Sequence, residues 1–410
     1  MIATEFFDVL LLIALALIFS RVIAYLFHRI KQPAVLGEIV AGLILGGLAI
    51  LFFSGKTFNI FGNPVVLSNL NYSSNEFRLL AEIGILFLLF ISGLEIRFSK
   101  LKKMEKASSL VAVGGVIVPL IFGMIAGILF DFSFKESIVI GLILTATSVG
   151  VTARTLLDLN VIDTDSSATI LGSAVIDDII GIILLTFALG IGSFIDAVWV
   201  GVRIAIFFLV FLYFGLKVIN KILTISEKIQ LPKAFLSISL AIFLLYAYFA
   251  DKSGVAGIIG AFIAGILIGQ NVKSRKIEEE IKSIGYGFFI PIFFVWVGAL
   301  LWEGQIESFS SAIEIALFAL IIIFISIVGK ILGCGLFAKI AGLKNIQALQ
   351  VGVGMVPRLE LALIISTAAI SKGFITGFHA HQILAATILM VVATTFITPF
   401  LLKATFKNHE

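Results

Sequence analysis

The sequence predicts an all-α polytopic membrane protein of about thirteen transmembrane helices. Three observations carry this. The chain has 410 residues, of which 60% are hydrophobic and 13% charged. No water-soluble fold of this size has such a composition. The apolar residues gather into thirteen runs close to the length that spans a bilayer, about 20 residues. Two of those runs are interrupted in their middle, and part of the pattern occurs twice.

The runs cover approximately residues 5–27, 33–54, 77–96, 108–130, 136–157, 167–192, 195–221, 231–250, 254–271, 284–302, 309–339, 346–371 and 379–403. The first is too long for a signal-peptide core and has no clear cleavage site, so it reads as a retained helix. No soluble domain is expected after the last run. Orientation follows from lysine and arginine bias. Arg29 and Lys31, then Lys100, Lys102, Lys103 and Lys106, then Lys228 and Lys233 mark one side. Lys273, Arg275, Lys276 and Lys282, and the tail residues Lys403 and Lys407, fall on that side too. The alternate loops carry little beyond Lys56, Lys135 and Lys252. This places the N-terminus outside and the C-terminus in the cytoplasm.

An internal repeat is visible. AVLGEIVAGLILG (34–46) matches GIIGAFIAGILIG (257–269), with Gly37, Ala41, Gly42 and Gly46 against Gly260, Ala264, Gly265 and Gly269. FLLFISGLE (87–95) follows the first copy and FFIPIFFVWVGAL (288–300) the second. In each half an interrupted helix comes after one further span. The copies begin at the second and ninth spans, an odd separation, so they run in opposite directions. Inverted repeats mark transporters whose site lies near the midplane.

Asp177 and Asp178 sit side by side in the apolar run Leu171–Gly192. A carboxylate at bilayer depth costs roughly 2.5–3.5 kcal/mol on insertion scales, so such residues usually line an ion or proton path. The bland alternative is silent pairing with basic partners in a packed bundle; basic residues at membrane depth are few. Adjacent helical positions point about 100° apart, so the two cannot face one spot. Their protonation is coupled and belongs to the pair.

The first interrupted helix holds LTATSVGVTARTL (144–156), with Thr145, Thr147, Ser148, Gly150 and Thr152 where an apolar stretch is expected. Unwound there, it offers hard oxygen ligands to a cation. The second holds VGVGMVPRLELALII (351–365). Pro357 removes a backbone donor, and Arg358 and Glu360 would compensate each other or the broken helix ends. Glu38 and Glu82 lie near helix ends, Glu95 and Arg97 read as an interfacial pair, and Lys330 would either counter a carboxylate or snorkel to the cytoplasmic surface, of which snorkelling is the preferred reading. His28, His379 and His381 lie at helix ends, and His409 in the tail. The single cysteine, Cys334, excludes an internal disulfide. No Cys/His metal cluster and no nucleic-acid patch is present in the sequence, whose net charge is +4.

QPAVLGEIVAGLILG, GILFLLFISGLEI, TATSVGVTARTL, SAVIDDIIGI and GMVPRLELALI together resemble the monovalent cation:proton antiporter-2 family, notably its short bacterial and archaeal sodium/proton antiporters. The resemblance covers essentially the whole chain. It implies a sodium/proton antiporter fold with two crossed broken helices. Core helices would cover approximately 77–192 and 284–403, and dimerisation or scaffold helices 5–54 and 195–271. It implies exchange of cytoplasmic Na⁺ or Li⁺ for external H⁺ by elevator-like alternating access in the cell's inner membrane, and a homodimer. No cofactor is implied: the ions are cargo, and the partners are a monovalent cation, protons and the lipid bilayer. Asp178 would be the principal cation and proton carboxylate and hold Na⁺. Asp177 would be its partner, Thr147 and Ser148 further ligands, and Pro357, Arg358 and Glu360 the structural group at the second break.

One departure stands out. Electrogenic relatives carry a lysine in the tenth span that pairs with the first aspartate. Residues 284–302 contain none, and Trp296 occupies their middle. K⁺/H⁺ exchange or K⁺ efflux within the same family is the nearest alternative, and a passive cation channel a more remote one. An intramembrane aspartyl protease needs aspartates on two facing helices, which adjacent positions on one helix do not supply.

Overall fold

The computed structural model describes residues 2–49, 57–60, 63–66, 72, 74–188, 194–226, 231, 233–271, 274–300 and 309–406. Lys56, Lys228, Lys273, Lys407 and His409 lie outside the described residues, as do the predicted span ends 50–54, 189–192 and 301–302. Among the described residues, ten helical stretches are long and apolar enough to cross a membrane, and Ala34–Leu48, Gly257–Gly269 and Leu361–Ser371 are shorter apolar helices. Each predicted run corresponds to one helix or one broken helix, and the chain is a multi-pass membrane protein.

The chain divides into two compact units, Met1–Phe87 with Lys282–Glu307, and Leu88–Ile281 with Ser308–Glu410. The first contains α1 (Ile2–Arg29), α2 (Ala34–Leu48) and a π-helical turn (Gly285–Phe289) that continues into α13 (Ile290–Ala299). It also contains a feature beyond an all-helical expectation: a small antiparallel hairpin of β1 (Thr57–Ile60) and β2 (Asn63–Val66), in register Thr57↔Val66. Thr57, Ile60, Val65 and Val66 favour extended backbone, and only Phe61–Gly62 separate the strands in sequence. In this unit Glu38 is fully buried, with its carboxylate 3.7 Å from the Arg21 guanidinium. It is thus an interior group rather than one at an exposed helix end.

The helix α3 (Asn75–Glu95) continues into the second unit, which then runs through α4 (Phe98–Lys103), α5 (Glu105–Leu129), α6 (Phe134–Thr145), α7 (Val149–Asp158) and α8 (Asp165–Ala188). Next come α9 (Phe194–Ser226), α10 (Ala234–Lys252), α11 (Gly257–Gly269) and α12 (Ser274–Ile284). The last are α14 (Phe309–Ile340), α15 (Asn345–Gly354), α16 (Glu360–Ser371) and α17 (Gly377–Phe406). α5 packs on α6, α8 and α14, and α14 packs in turn on α15 and α17.

The repeat has a packing consequence. α2 of the first copy lies on α13 of the second, and α11 of the second lies on the end of α3 from the first. The contacts match. A Cβ on Gly42 would lie 2.0 Å from the Val295 carbonyl oxygen, and one on the equivalent Gly265 would lie 2.2 Å from that of Phe90. The partner helices answer with glycines of their own: a Cβ on Gly298 would meet the Ile39 carbonyl oxygen at 2.0 Å, and one on Gly93 that of Phe262 at 2.3 Å. Small residues let backbones approach this closely where lipid gives no hydrophobic drive for association. The two copies are therefore interlaced, each lending a helix to the other.

At the polar edge, Arg97 lies 3.3 Å from the Asp163 carboxylate. Lys100 joins the same Asp163 carboxylate at 3.2 Å, so the basic segment grips the loop between α7 and α8. Glu82 forms an exposed pair with Arg78 one turn earlier.

The interlaced contacts predict a specific sensitivity. Gly298→Ala forces α2 and α13 apart and is expected to cost about 1–3 kcal/mol by overpacking. Thermal melting of the purified protein checks this, with Gly201→Ala, where a Cβ meets nothing within 4 Å, expected to melt like the parent.

Candidate functional site

α6 ends because its last residues turn polar. Thr145 bonds back to the Leu142 carbonyl at 2.8 Å, and Ala146 (ψ 141°) and Ser148 (ψ 112°) are extended. The helix resumes at Val149. The second break, Met355 to Leu359, follows from Pro357, which has no N–H to continue the ladder. Unpaired backbone groups in a membrane interior are costly, and the two breaks satisfy one another. Ser148 N–H donates to the Pro357 carbonyl at 2.7 Å, and Thr152 Oγ1 donates to the Gly354 carbonyl at 2.6 Å. The broken helices therefore cross at their interruptions.

Arg358 is fully buried beside the second break. Its guanidinium donates to the carbonyls of Met355 (3.3 Å) and Ser326 (3.4 Å). The first of these lies just past the C-terminal end of α15, where a cation offsets the helix dipole. Thr394 Oγ1 accepts from Arg358 N–H and Thr395 Oγ1 donates to the Arg358 carbonyl, both at 3.2 Å. The backbone at Glu360 starts α16; its side chain lies outside the described residues.

α8 carries the two carboxylates into this crossing. Asp177 is 2% and Asp178 4% exposed. Asp177 Oδ2 accepts from Thr147 Oγ1 at 2.5 Å and from Lys330 Nζ at 2.9 Å. Its Oδ1 is buried and, among the described residues, has no hydrogen-bond partner; nor has the buried hydroxyl of Ser148. Both donors take one oxygen and leave the other available.

Lys330 corrects two expectations. It does not snorkel: it is fully buried, ten residues from the end of α14, too deep for its side chain to reach the surface. And a lysine does pair with the first aspartate, although 284–302 contain none, because α14 supplies it. Asp177 thus has the basic partner that the scarcity of basic residues at membrane depth argued against. The neighbouring helix makes room: a Cβ on Gly115 of α5 would lie 3.2 Å from Lys330 Nζ and 2.6 Å from Cys334 Sγ. Of the two sequence readings of Lys330, the less preferred one, a counter-charge to a carboxylate, is the one the structure shows. Ser326 and Lys330 are one turn apart on α14 and serve both charged groups, Arg358 through a carbonyl and Asp177 through an ammonium.

The structure therefore gathers Thr147, Ser148, Asp177, Pro357 and Arg358, with Asp178 next on α8, and adds Lys330, Thr152, Thr394 and Thr395. Among the described residues no group of three or more His, Cys, Asp and Glu could hold a metal ion.

A profile described as "Sodium/hydrogen exchanger, transmembrane" matches residues 13–408. The probable Na⁺/H⁺ antiporter GerT of Bacillus cereus is 36% identical over 380 residues, 92% of this chain and 94% of that one. The Na⁺/H⁺-K⁺ antiporter GerN of the same organism is 32% identical over 402 residues, 98% of this chain and 97% of its own. Among solved structures, the sodium proton antiporter MjNhaP1 from Methanocaldococcus jannaschii superposes with a TM-score of 0.67 over 99% of this chain and 98% of that one; at 18% identity this shows the fold. With nearly its full length matched by that profile, the chain belongs to the sodium/hydrogen exchanger family.

Proposed function

We propose that the protein is a secondary active antiporter that exchanges cytoplasmic Na⁺ (or Li⁺) for external H⁺ by alternating access. The observation that carries this is the buried Asp177–Lys330–Thr147 cluster beside Asp178, where two broken helices cross. It is a site of hard oxygens and titratable groups, which suits a small cation competing with protons. The names of GerT and GerN support the ion pair exchanged.

In this reading Asp178 binds the cation when ionised and is protonated on return. Asp177 Oδ1 and Ser148 Oγ supply further oxygens. An arriving cation competes with the Lys330 ammonium for Asp177, and the displaced ammonium gives up a proton. One cation leaving against one proton each on Asp178 and Lys330 moves one net positive charge inward per cycle. The exchange is then electrogenic and responds to membrane potential. Arg358, Pro357 and Glu360 keep the second break in place and stay out of the chemistry. No cofactor takes part.

The moving core would comprise approximately 77–192 and 284–403, against dimerisation helices 5–54 and 195–271 in a homodimer. This division is by motion and differs from the division by compactness, which keeps 195–271 with the site. The lysine and arginine pattern supports an N-terminus outside the cell's inner membrane and a cytoplasmic C-terminus. A second reading, K⁺ as an additional or alternative cargo, is favoured by one observation, the K⁺ in the name of GerN.

The test is cation-induced dequenching of a pH-sensitive dye in acid-loaded proteoliposomes, with Na⁺, Li⁺ and K⁺ added separately under a potential clamp. Asp178→Asn is expected to fold normally and lose exchange by at least roughly 100-fold, about 2.7 kcal/mol. Substantial remaining flux removes Asp178 from its role, and a response to K⁺ alone moves the protein to the second reading. Lys330→Gln takes one proton out of the cycle. Any exchange it retains is expected to ignore the imposed potential, where the parent accelerates when the interior is negative; an unchanged voltage response would rule out the lysine as a proton carrier.

A further inference from the structure

A second titratable pair lies on the same unit, away from the carboxylates. Glu136 is the third residue of α6, and its two oxygens have separate tasks. Oε2 accepts from Ser133 N–H at 2.8 Å, while Ser133 Oγ accepts from Glu136 N–H, closing a capping box. Oε1 lies 3.0 Å from Nδ1 of His379, in the first turn of α17. The Glu136 side chain is 12% exposed and that of His379 35%. The imidazole is held in orientation by Phe132, whose ring centre is 4.3 Å away, and Phe132 rests on Phe318 of α14.

The two helices so joined are those that serve the breaks. α6 runs 12 residues, about 18 Å, to the extended segment with Thr147 and Ser148. α17 carries Thr394 and Thr395, which hold the Arg358 backbone. A tie at their starts therefore fixes the far end of the first broken helix against the support of the second.

We propose that Glu136 and His379 form a pH-responsive clasp that positions the first broken helix, so that apparent cation affinity follows the pH on the face where α6 and α17 begin. This rests on the antiport reading; by the orientation given there, the face is external. Histidine is the side chain whose charge changes between about pH 5 and 8. Protonated, it meets the carboxylate as a charge-assisted hydrogen bond; neutral, it keeps at most an ordinary one. The clasp is tight where the imidazole is protonated and loosens where it is neutral. Among the described residues, the other charged or titratable ones at this end of those elements are Asp131, Lys135, Glu314, Lys372 and His381, all exposed. His381 Nδ1 is turned to the Gly377 carbonyl. The cation carboxylates sit at the other end of α6, so this response is separate from competition between cation and proton.

His379→Arg keeps the clasp charged at every pH, and His379→Gln and Glu136→Gln remove its charge pairing. The Na⁺ KM is measured in proteoliposomes at fixed pH on one face while the other is stepped from about 5.5 to about 8.5, each face in turn. Ratios between variants cancel the proton competition common to all. The ratio of parent to His379→Arg is expected near one in acid, rising about two- to fivefold in alkali, the range a half-exposed ion pair supplies. The ratio of His379→Gln to His379→Arg should be raised and flat. Should the arginine variant not fold, the ratio of Glu136→Gln to parent should be raised in acid and fall to one in alkali. Flat parent ratios on both faces overturn the clasp and leave the antiport reading standing. A parent with no cation-driven proton flux overturns the antiport reading instead. The Glu136–His379 coupling is then read from a double-mutant melting cycle, expected at about pH 5.5 and absent at about pH 8.5; no coupling at either pH overturns the clasp.

Discussion

Everything at the centre of this molecule depends on keeping charge where lipid and apolar side chains surround it. The Asp177 carboxylate and the Lys330 ammonium meet at 2.9 Å with side chains 1% and 0% exposed. Removing one member of such a pair costs far more than the intact pair is worth, about 3–5 kcal/mol, because the other charge is stranded. That asymmetry is why the pair suits the antiport reading proposed above, in which a metal cation takes the place of the ammonium beside Asp177 and leaves when the ammonium returns.

The helix breaks make that place accessible to polar ligands without opening the fold. Each interruption exposes backbone groups that the membrane interior would penalise, and each is answered by the other. Ser148 N–H meets Pro357 O, Thr152 meets Gly354 O, and Arg358 meets Met355 O. The cost of breaking two helices is thus largely met within the crossing. Thr147 is then directed at the Asp177 carboxylate rather than at its own backbone, and the buried Ser148 hydroxyl has no hydrogen-bond partner among the described residues.

Much of this was legible in the sequence, for a physical reason in each case. The spans follow from hydropathy, and the breaks from Pro357 and from the run of hydroxyl and glycine residues at 145–152. The repeat follows from matching glycines that face matching backbone carbonyls. What the sequence did not yield is partner choice across helices. Lys330 is visible as a charge in an apolar run, but its depth along a 32-residue helix, and Gly115 opposite it, are properties of packing. Arg97 reaches Asp163, far away in sequence, because the loop after α7 folds back onto α4. The strands of the hairpin, eight extended residues between long apolar runs, leave no strong pattern in the sequence.

The adjacent aspartates gain their meaning from the same packing. Helical geometry turns them about 100° apart, so they cannot share one environment. Asp177 is the one that Thr147 and Lys330 hold, through a single oxygen. Two chemically identical groups, one residue apart, are thereby given different surroundings, with Asp177 held by Thr147 and Lys330. In the antiport reading proposed above, that difference lets an arriving cation and the Lys330 ammonium compete for Asp177 while Asp178, on another sector of α8, carries the exchanged proton.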